Sequence, residues 1–464
     1  MEALQEQKNP LETEPVSKLI IRYSIPTALT LMVNYIYNIA DQIFVGQGVG
    51  ITGMAATNIA FPMIILVNAI ALWLGDGCAA NISLCLGRKE QRLADETLSH
   101  TLTFLLGGGV LVAAVFMIFA PWIVRLFGST ETAYTGALIY MRILALGIPF
   151  EMICPAFTAI IRADGNPKYA MKCMLTGAII NLILDPVFIF LLKMGVAGAA
   201  VATVIGQTAA GVMFLAYLKK LQTVSVRKDA LCPKRELSFR IMALGFPSLL
   251  TQILNALMQI TMNNLMTRYG EATIYGSDIA LSVYGMAMKV YQIAHSMFVG
   301  VSSATQPING FNFGAKHYER VRQTYRLAAL IALAISVGWF VIYQGFSEQI
   351  GMLFVSKDAL YIDCTKHFFR IYMMAFFVYG LHMTTASFFQ GIGKPLKALM
   401  LPFFRQGMLL IPLSVLLAGR FGLDGALIAA PISDVLTFVL AVVMARMELQ
   451  GWKKKGWIKK EDEG

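Results

Sequence analysis

Charge is scarce in this sequence. Of its 464 residues, 57% are hydrophobic and only 14% are charged, whereas a soluble protein carries roughly a quarter. Four stretches contain no Asp, Glu, Lys or Arg at all, namely 42–75, 101–124, 194–218 and 241–267. Each is long enough to cross a hydrocarbon layer about 30 Å thick as a helix, in which the backbone polar groups are satisfied within the segment. This scarcity excludes an ordinary soluble protein and predicts a membrane protein.

Enzyme motifs are also missing. The sequence has no HExxH and no GxSxG, GIGK at 391–394 lacks the spacing of a phosphate-binding loop, and GQGVGITG at 46–53 follows no predicted strand. The six cysteines form no CxxC and no His-paired metal spacing, so we expect free, mostly buried thiols, no cofactor and no firm metal site. One enzyme alternative remains, because LGDG at 74–77 faintly resembles the aspartate motif of intramembrane proteases, which needs two aspartates facing each other across adjacent helices.

Long apolar segments predict twelve transmembrane helices in an all-α membrane protein. Their ends are placed by hydropathy and by the charged residues between them. The segments are 18–46, 52–86, 92–119, 131–163, 168–192, 196–218, 238–268, 273–310, 317–344, 357–391, 395–419 and 423–447. Several are longer than one straight crossing requires, so we expect them to tilt, kink or extend beyond the membrane.

Basic residues are distributed asymmetrically between the loops. Of the 38 lysines and arginines, 29 fall in the N-terminal segment, the even-numbered loops or the C-terminal tail, with Arg405 assigned to the tenth loop. This bias predicts an even number of spans in the plasma membrane and both termini in the cytoplasm. The net charge of +11 is therefore expected to face anionic membrane lipids and not nucleic acid. The acidic start of the chain does not resemble the basic start of a signal peptide.

The two halves of the chain repeat each other. PTALTLMVN from Pro26 aligns with PSLLTQILN from Pro247 at a shift of 221, while LGRK, DGNP and VAGAA align with FGAK, IGKP and LDGAL at shifts of 227 or 228. Two copies of six helices in one orientation predict parallel repeats, as in some secondary transporters. The expected divisions are an N-terminal segment (1–17), a first six-helix bundle (18–218), a linker (219–237), a second six-helix bundle (238–447) and a basic tail (448–464).

Two aspartates lie inside the predicted helices. Asp41 is the only charge in YIYNIADQIFVGQG, and Asp185 lies in NLILDPVF. A charge at the middle of a membrane costs about 2.5–3.5 kcal/mol and is usually retained for a partner or a function. Both are expected at similar depth, with Asn38, Asn181 and Thr203 at the same level. These five side chains form a candidate oxygen cage for H⁺, or for Na⁺ at Asp41, Asn181 and Asp185.

A structural role is the alternative for each aspartate, either as a helix cap or as the partner of a buried arginine. In the repeat, Asp41 falls opposite Met262 and Asp185 falls opposite about Pro412. The second half therefore lacks both acids, and we expect ion coupling in the first half.

The second half carries amides on its first predicted helix. Asn255, Gln259 and Asn263 share one face at a spacing of four residues, and they either line a central cavity or make ordinary interhelical hydrogen bonds. Lys289, in the eighth span, either faces that cavity or extends to the membrane surface. The expected substrate cavity is lined by Asn34, Tyr37, Asn255, Gln259 and Lys289.

Three further acids have no evident partner in the sequence. Glu151 and Asp434 lie in the middle of predicted helices, and Asp76 lies near the cytoplasmic end of the second. We expect Asp76 to be solvated and assign no role to the other two.

At NYIYNIADQIFVG, NLILDPVFIF and the RADGNP/GIGKP pair, the sequence resembles the multidrug and toxic compound extrusion (MATE) family, in particular its MepA-like bacterial branch. The resemblance extends over about 18–447. It implies two six-helix bundles around a V-shaped cavity and drug export driven by inward H⁺ or Na⁺. It also implies that Asp41, Asp185, Asn181 and Thr203 form the cation site of the first bundle.

The function expected from this resemblance is that of a monomeric secondary active multidrug efflux transporter. It would export lipophilic, mostly cationic compounds in exchange for H⁺ or Na⁺ by alternating access, and so confer antibiotic resistance. The alternative is a lipid-linked precursor flippase of the same superfamily, which needs a strongly cationic cavity for pyrophosphate, and Lys289 is the single evident candidate there. The protease alternative does not explain a twelve-helix duplication.

Overall fold

The computed structural model describes residues 10–49, 51–127, 131–230, 232, 234–354 and 359–458. These residues are almost entirely helical, and they contain no β-strand. The helices are α1 (Pro10–Thr13), α2 (Val16–Gly48), α3 (Ile51–Gly87), α4 (Gln91–Leu126), α5 (Glu131–Ala163), α6 (Pro167–Pro186), α7 (Val196–Ala216), α8 (Arg235–Gly270), α9 (Gly276–Gly314), α10 (Tyr318–Gly345), α11 (Ser347–Phe354), α12 (Ala359–Tyr372), α13 (Tyr379–Gly391), α14 (Pro395–Pro402) and α15 (Ile411–Lys454). The expectations for residues 1–9 and 459–464 lie outside the described residues.

The predicted spans coincide with these helices. In the described ranges, nine helical segments are long and apolar enough to cross a membrane, and the α12–α13 pair, bent by 47°, makes a tenth. The segment Pro395–Lys454 counts once among the nine, although Gly422 has a left-handed φ of 62° that divides it between the last two predicted spans. The all-α membrane fold is confirmed, and the helix order is consistent with twelve crossings.

Two π-helical segments continue helices that end in proline. Val187–Leu191 follows α6 at Pro186, and Phe403–Leu410 joins α14 to α15 after Pro402. Proline removes one backbone donor from the helical ladder, and a wider turn is a common local response, often found at functional sites.

Three turns recur at matching positions of the two halves, and both residues of each matching pair have a positive φ. The matching pairs are Lys89 and Lys316 (φ 61° and 64°), Gly165 and Gly393 (φ 97° and 76°), and Gly195 and Gly422 (φ 59° and 62°). After each lysine, the next amide bonds to the carbonyl five residues back, at 2.9 Å in the first half and 2.8 Å in the second. Lysine rarely adopts a left-handed conformation. Its recurrence 227 residues later therefore supports the duplication read from the sequence.

The chain divides into two compact units, and the division runs through two helices. The first unit is Leu29–Leu249, and the second unit joins the residues up to Ala28 to those from Leu250 onward. The beginning of α2 thus packs in the second unit, and the beginning of α8 packs in the first. The boundary expected in the linker, 219–237, stays a prediction.

Each unit has its own apolar core and a wide apolar surface. Phe157 and Phe214 are fully buried in the first unit, as is Phe369 in the second. On the outside, Trp122 and Leu126 of α4 are 80% and 81% exposed. Large apolar side chains on the surface are typical of helices that face lipid.

Glycines allow the beginnings of α2 and α8 to cross neighbouring helices closely. In the first unit, a Cβ atom on Gly245 of α8 would lie 1.8 Å from the carbonyl oxygen of Trp73 in α3, whose indole Nε1 donates to Met242 O at 2.7 Å. In the second unit, a Cβ on Gly300 of α9 would lie 2.8 Å from the carbonyl oxygen of Ser24 in α2. Ser24 and Gly245 are repeat mates at a shift of 221, so the two crossings are counterparts.

The linker is tied to the first unit by two carboxylates. Asp164 accepts hydrogen bonds from the backbone amides of Gln222 and Thr223 at 2.7 to 3.1 Å, and Asp95 accepts from the amide and hydroxyl of Ser225 at 2.8 and 3.0 Å. The beginning of the linker is therefore an ordered part of the fold.

Candidate cation site

Helices α2, α6 and α7 bring four of the predicted site residues together within the first unit. Asp185 is fully buried, Asn181 is 4% exposed and Asp41 is 8% exposed, with Thr203 beside them. The carboxyl groups of Asp41 and Asp185 are within hydrogen-bonding contact of each other. The sequence placed both acids at one depth, and the fold turns them toward each other.

Asn181 connects the acid pair to α7. It lies one helical turn before Asp185 and donates to its carboxylate at 3.3 to 3.4 Å in either orientation of the side-chain amide. The same amide contacts Thr203, at its hydroxyl (3.3 Å) or at its backbone nitrogen (3.2 Å). Thr203 Oγ1 in turn donates to Ala199 O at 2.9 Å.

One oxygen of the acid pair lacks a partner among the described residues. Asp41 Oδ1 is buried and accepts no hydrogen bond. An ionised carboxylate can only accept hydrogen bonds, so two ionised groups cannot bond to each other. A proton on one of them, or a cation between them, completes the contact.

Two tyrosines flank the acid pair. Tyr37, one turn before Asp41 on α2, and Tyr140 of α5 both lie close enough to Asp41 and Asp185 to interact electrostatically with the two carboxylates. Tyr37 was predicted in the substrate cavity, and the structure places it beside the acids. Tyr140 had no signal in the sequence, because an aromatic residue in an apolar helix resembles any other core residue.

Asn38 is not brought to the acid pair. Its side chain is exposed and donates to the carbonyl oxygen of Asn34, one turn earlier in α2, at 2.7 Å. Asn34 itself is half-buried in the same helix. The cluster therefore consists of Asp41, Asn181, Asp185 and Thr203.

Another acid of the first unit, Glu151 of α5, is half-buried. Its carboxylate accepts a hydrogen bond from Asn68 Nδ2 of α3 at 2.9 Å and interacts with the side chain of Gln207 of α7. The sequence showed no partner for Glu151 because both amides come from other helices. Tyr37 interacts electrostatically with Glu151 as well as with Asp41, so one ring lies close to both acids.

The remaining cavity candidates lie on the second unit. Asn255 and Gln259 are exposed on α8, and Asn255 Oδ1 accepts from Gln406 Nε2 at 2.5 Å. Lys289 is exposed on α9. Within the second unit, Asn255 therefore already has one partner on a neighbouring helix.

Arg405 and Asp434 form a buried ion pair in the second unit. Arg405 Nε donates to Asp434 Oδ1 at 2.7 Å, and the guanidinium carbon lies 4.7 Å from the centre of the Tyr379 ring. The assignment of Arg405 to the tenth loop was wrong, because the π-helical segment after Pro402 holds it inside the helix bundle. Asp434 therefore has a partner. By the repeat, it occupies the position of Gln207.

Asp76 is paired rather than solvated, contrary to the expectation from sequence. It accepts from Ser248 Oγ at 2.7 Å and lies 3.8 Å from a guanidinium nitrogen of Arg162. The two aspartates that face each other are Asp41 and Asp185. The LGDG motif thus does not form the aspartate pair that the protease alternative needs.

Comparisons with known proteins agree with this architecture. The MatE family model matches the chain twice, at residues 26–187 and 247–416, and the two matches follow the internal repeat. Multidrug export protein MepA of Staphylococcus aureus (strain NCTC 8325 / PS 47) is 24% identical over 445 residues, covering 95% of each chain. The probable multidrug resistance protein YoeA of Bacillus subtilis (strain 168) is 25% identical over 468 residues, covering 97% of this chain and 98% of YoeA.

Solved structures share the fold over nearly the whole chain. One is a MOP superfamily transporter from Pyrococcus furiosus, described as having a binding pocket of reverse polarity. It is 26% identical with a TM-score of 0.88, and the match covers 96% of this chain and 98% of the transporter chain. A MATE structure in complex with MaL6 is 26% identical with a TM-score of 0.89, at 96% and 99% coverage. With the family model matched over more than half of its length, in two repeats, this chain belongs to the MatE (multidrug and toxic compound extrusion) family of membrane transporters.

Proposed function

We propose that this protein is a secondary active multidrug efflux transporter of the plasma membrane, which exports lipophilic, mostly cationic compounds in exchange for H⁺ or Na⁺. The observation that carries the proposal is the buried contact between Asp41 and Asp185, in which Asp41 Oδ1 has no hydrogen-bond partner among the described residues. Two facing acids repel each other unless a proton or a cation is bound between them, so this contact requires a cation in a way that apolar or amide side chains would not.

Electrostatics make this contact dependent on a cation. Two unit charges 4 Å apart repel each other by about 4 kcal/mol at an effective dielectric constant of 20, and each buried charge also loses hydration. Protonation of one carboxyl group, or a Na⁺ ion coordinated by both with Asn181 and Thr203, removes the repulsion. Cation binding is thereby linked to the position of α2 against α6.

The same helix connects the cation to the substrate. Asn34, Tyr37 and Asp41 all lie on α2, so a shift of this helix on cation binding changes the surface that a substrate meets. A cation that enters from outside weakens substrate binding, and by linkage the substrate weakens cation binding to the same extent. Alternation between these two states in inward- and outward-open forms gives antiport.

Two observations support lipophilic substrates. MepA is similar to this chain over 95% of its own length, and it is named a multidrug export protein. The chain also has 26 methionines and 11% aromatic residues, and flexible, polarisable side chains suit surfaces that accept many ligands.

The test is ethidium transport by purified protein in proteoliposomes, with a pH gradient and a Na⁺ gradient imposed separately. We expect one gradient to drive transport by the wild type, which names the coupling ion. Asp41→Asn keeps the size of the side chain, but an amide neither takes up a proton nor carries a negative charge. We expect its gradient-driven transport rate to fall to background. Asp229→Asn is the matched control, because this linker aspartate is 60% exposed and pairs only at the surface with Arg227.

Two results would contradict the proposal. Full gradient-driven transport by Asp41→Asn would show that coupling does not depend on this pair. If neither gradient drives ethidium transport by folded wild type, drug antiport is wrong, and the flippase alternative is then tested with a lipid-linked pyrophosphate.

A further inference from the structure

The Glu151 carboxylate, which the mechanism above does not use, has neutral neighbours in the described part of the chain. It accepts a hydrogen bond from Asn68 Nδ2 at 2.9 Å and interacts with the side-chain amide of Gln207, and Tyr37 lies close enough to interact with it electrostatically. All four side chains are half-buried. No lysine, arginine or histidine of the described residues contacts the carboxylate. An ionised Glu151 therefore carries a negative charge that the surrounding helices do not neutralise, and such a charge is usually retained for a partner.

The repeat identifies the equivalent place in the second unit. The shift is 227 for the helices of Asn68 and Gln207 and 228 for the helix of Glu151. The corresponding pairs are Asn68 and His295, Glu151 and Tyr379, and Gln207 and Asp434. Tyr379 and Asp434 interact electrostatically, so these positions form a cluster in the second unit as they do in the first.

Arg405 lies within the cluster of the second unit. Its Nε donates to Asp434 Oδ1 at 2.7 Å, its guanidinium carbon lies 4.7 Å from the centre of the Tyr379 ring, and it is close enough to His295 to interact electrostatically. The acid of the second unit is thus paired with a cation that the chain itself supplies, and that cation also lies over an aromatic ring.

The first unit has an acid at this place without such a cation. At shifts of 228 and 227, Arg405 falls at Gly177 and Ala178 of α6, neither of which has a polar side chain. The two acids also differ in exposure, because Asp434 is only 6% exposed whereas Glu151 is half-buried. The acid that already has its cation is closed off, and the acid without one is accessible.

We propose that Glu151 binds the positively charged group of the exported compound, with the Tyr37 ring beside that group. The inference rests on the proposed function, and it names the side chain that selects cationic over neutral compounds. A partly desolvated carboxylate attracts an organic cation more strongly than an exposed one does, and an aromatic ring adds a cation–π attraction. Arg405 shows the same combination of carboxylate and tyrosine ring around a cation in the second unit.

Tyr37 also connects this contact to the acid pair. Its side chain interacts electrostatically with Glu151, Asp41 and Asp185. A substrate cation at Glu151 and a coupling cation at the acid pair therefore lie close enough to repel each other. Such repulsion lowers the affinity for each cation when the other is bound, as antiport requires.

The test compares ethidium with dihydroethidium, its reduced and uncharged form, in fluorescence titrations of purified full-length protein in detergent under argon, without any ion gradient. We expect the wild type to bind ethidium more tightly. Glu151→Gln keeps the size of the side chain and an oxygen for Asn68 but lacks the charge, so its ethidium affinity should fall at least about tenfold. Its dihydroethidium affinity should be unchanged. Glu271→Gln, at an exposed glutamate after α8, should bind both ligands as the wild type does.

A second variant keeps the inference testable if Glu151→Gln unfolds. Gln207→Lys places a cation beside Glu151, as Arg405 lies beside Asp434, and it should lower ethidium affinity by at least as much without affecting dihydroethidium. Unchanged ethidium affinity in both variants would overturn the inference. Equal losses for the two ligands would also overturn it, since they would indicate a structural role.

Transport in proteoliposomes separates this inference from the proposed function. At saturating ethidium, Glu151→Gln should still be driven by the gradient that drives the wild type, whereas Asp41→Asn should not. Loss of gradient-driven transport with unchanged ethidium binding would assign Glu151 to ion coupling and overturn the inference alone. If the wild type neither binds ethidium nor transports it under either gradient, drug antiport is wrong and the inference fails with it.

Discussion

The buried carboxylate of Asp164 is one of the two that hold the beginning of the linker. It is 1% exposed and accepts hydrogen bonds from Tyr217 Oη at 2.8 Å and from both the amide and the hydroxyl of Thr223 at 2.7 Å. Asp164→Asn replaces one acceptor oxygen with a donor that faces other donors. A hydrogen bond to a charged group contributes about 1.5–3 kcal/mol, so we expect trypsin to cleave the linker at least about tenfold faster in detergent-purified protein.

The matched control for that variant is Asp278→Asn, which makes the same chemical change at an exposed position near the start of α9. Its linker should be cleaved at the wild-type rate, since exposed charges contribute little to stability. Equal cleavage rates for Asp164→Asn and wild type would mean that the bonds to Asp164 do not hold the linker.

For individual residues, the sequence predicts the membrane depth of an acid better than it predicts the residue that the acid contacts. Depth in the membrane follows from hydropathy, so Asp41 and Asp185 could be placed at one level before their contact was known. Glu151 and its partner Asn68 are 83 residues apart, and no local pattern connects them. Arg405 was misplaced because it follows Lys394 and Lys397 closely in the sequence, whereas its partner Asp434 lies on another helix.

At the scale of the helices, the crossing of α8 over α3 depends on one missing side chain. A Cβ atom on Gly245 would lie 1.8 Å from a backbone oxygen of α3, and a backbone oxygen cannot rotate away. Gly245→Ala must therefore separate the two helices, and overpacking of this kind costs about 1–3 kcal/mol or more. We expect a lower melting temperature and loss of transport.

Gly338→Ala provides the control for the crossing. Gly338 lies in the middle of α10, and an added Cβ there would meet no atom within 4 Å. Alanine is favoured over glycine in a helix by about 1 kcal/mol, so its melting temperature should equal or exceed that of the wild type. A wild-type melting temperature for Gly245→Ala would contradict the close crossing.

Helix positions were predictable because charged residues and Gly–Pro turns bound each apolar run. The breaks within the runs were harder to predict. The tenth span, predicted as one segment at 357–391, is two helices bent by 47°, and the eleventh contains the π-helical segment Phe403–Leu410. Both irregularities depend on side-chain packing between helices, which hydropathy does not record.

For the whole molecule, the duplication could be read from short matches, because a repeated fold needs the same turn at the same place. The left-handed Lys89 and Lys316 are the strongest case, since the residue type and the conformation recur together. The sequence did not predict that α2 begins in the second unit or that α8 begins in the first. Gly245 and Gly300 look like any other small residues in apolar helices until their neighbours are known.

The orientation of the whole molecule rests on the distribution of its basic residues, and one cysteine can test it. Cys232, in the linker, is exposed, whereas the other five cysteines are buried and all six are free. With the linker in the cytoplasm, a membrane-impermeant maleimide should label wild-type protein in inside-out vesicles and not in intact cells, and Cys232→Ser should remove the label. Labelling in intact cells that disappears in Cys232→Ser would place the linker outside. The proposed direction of export, and the side from which the cation enters, would then be reversed.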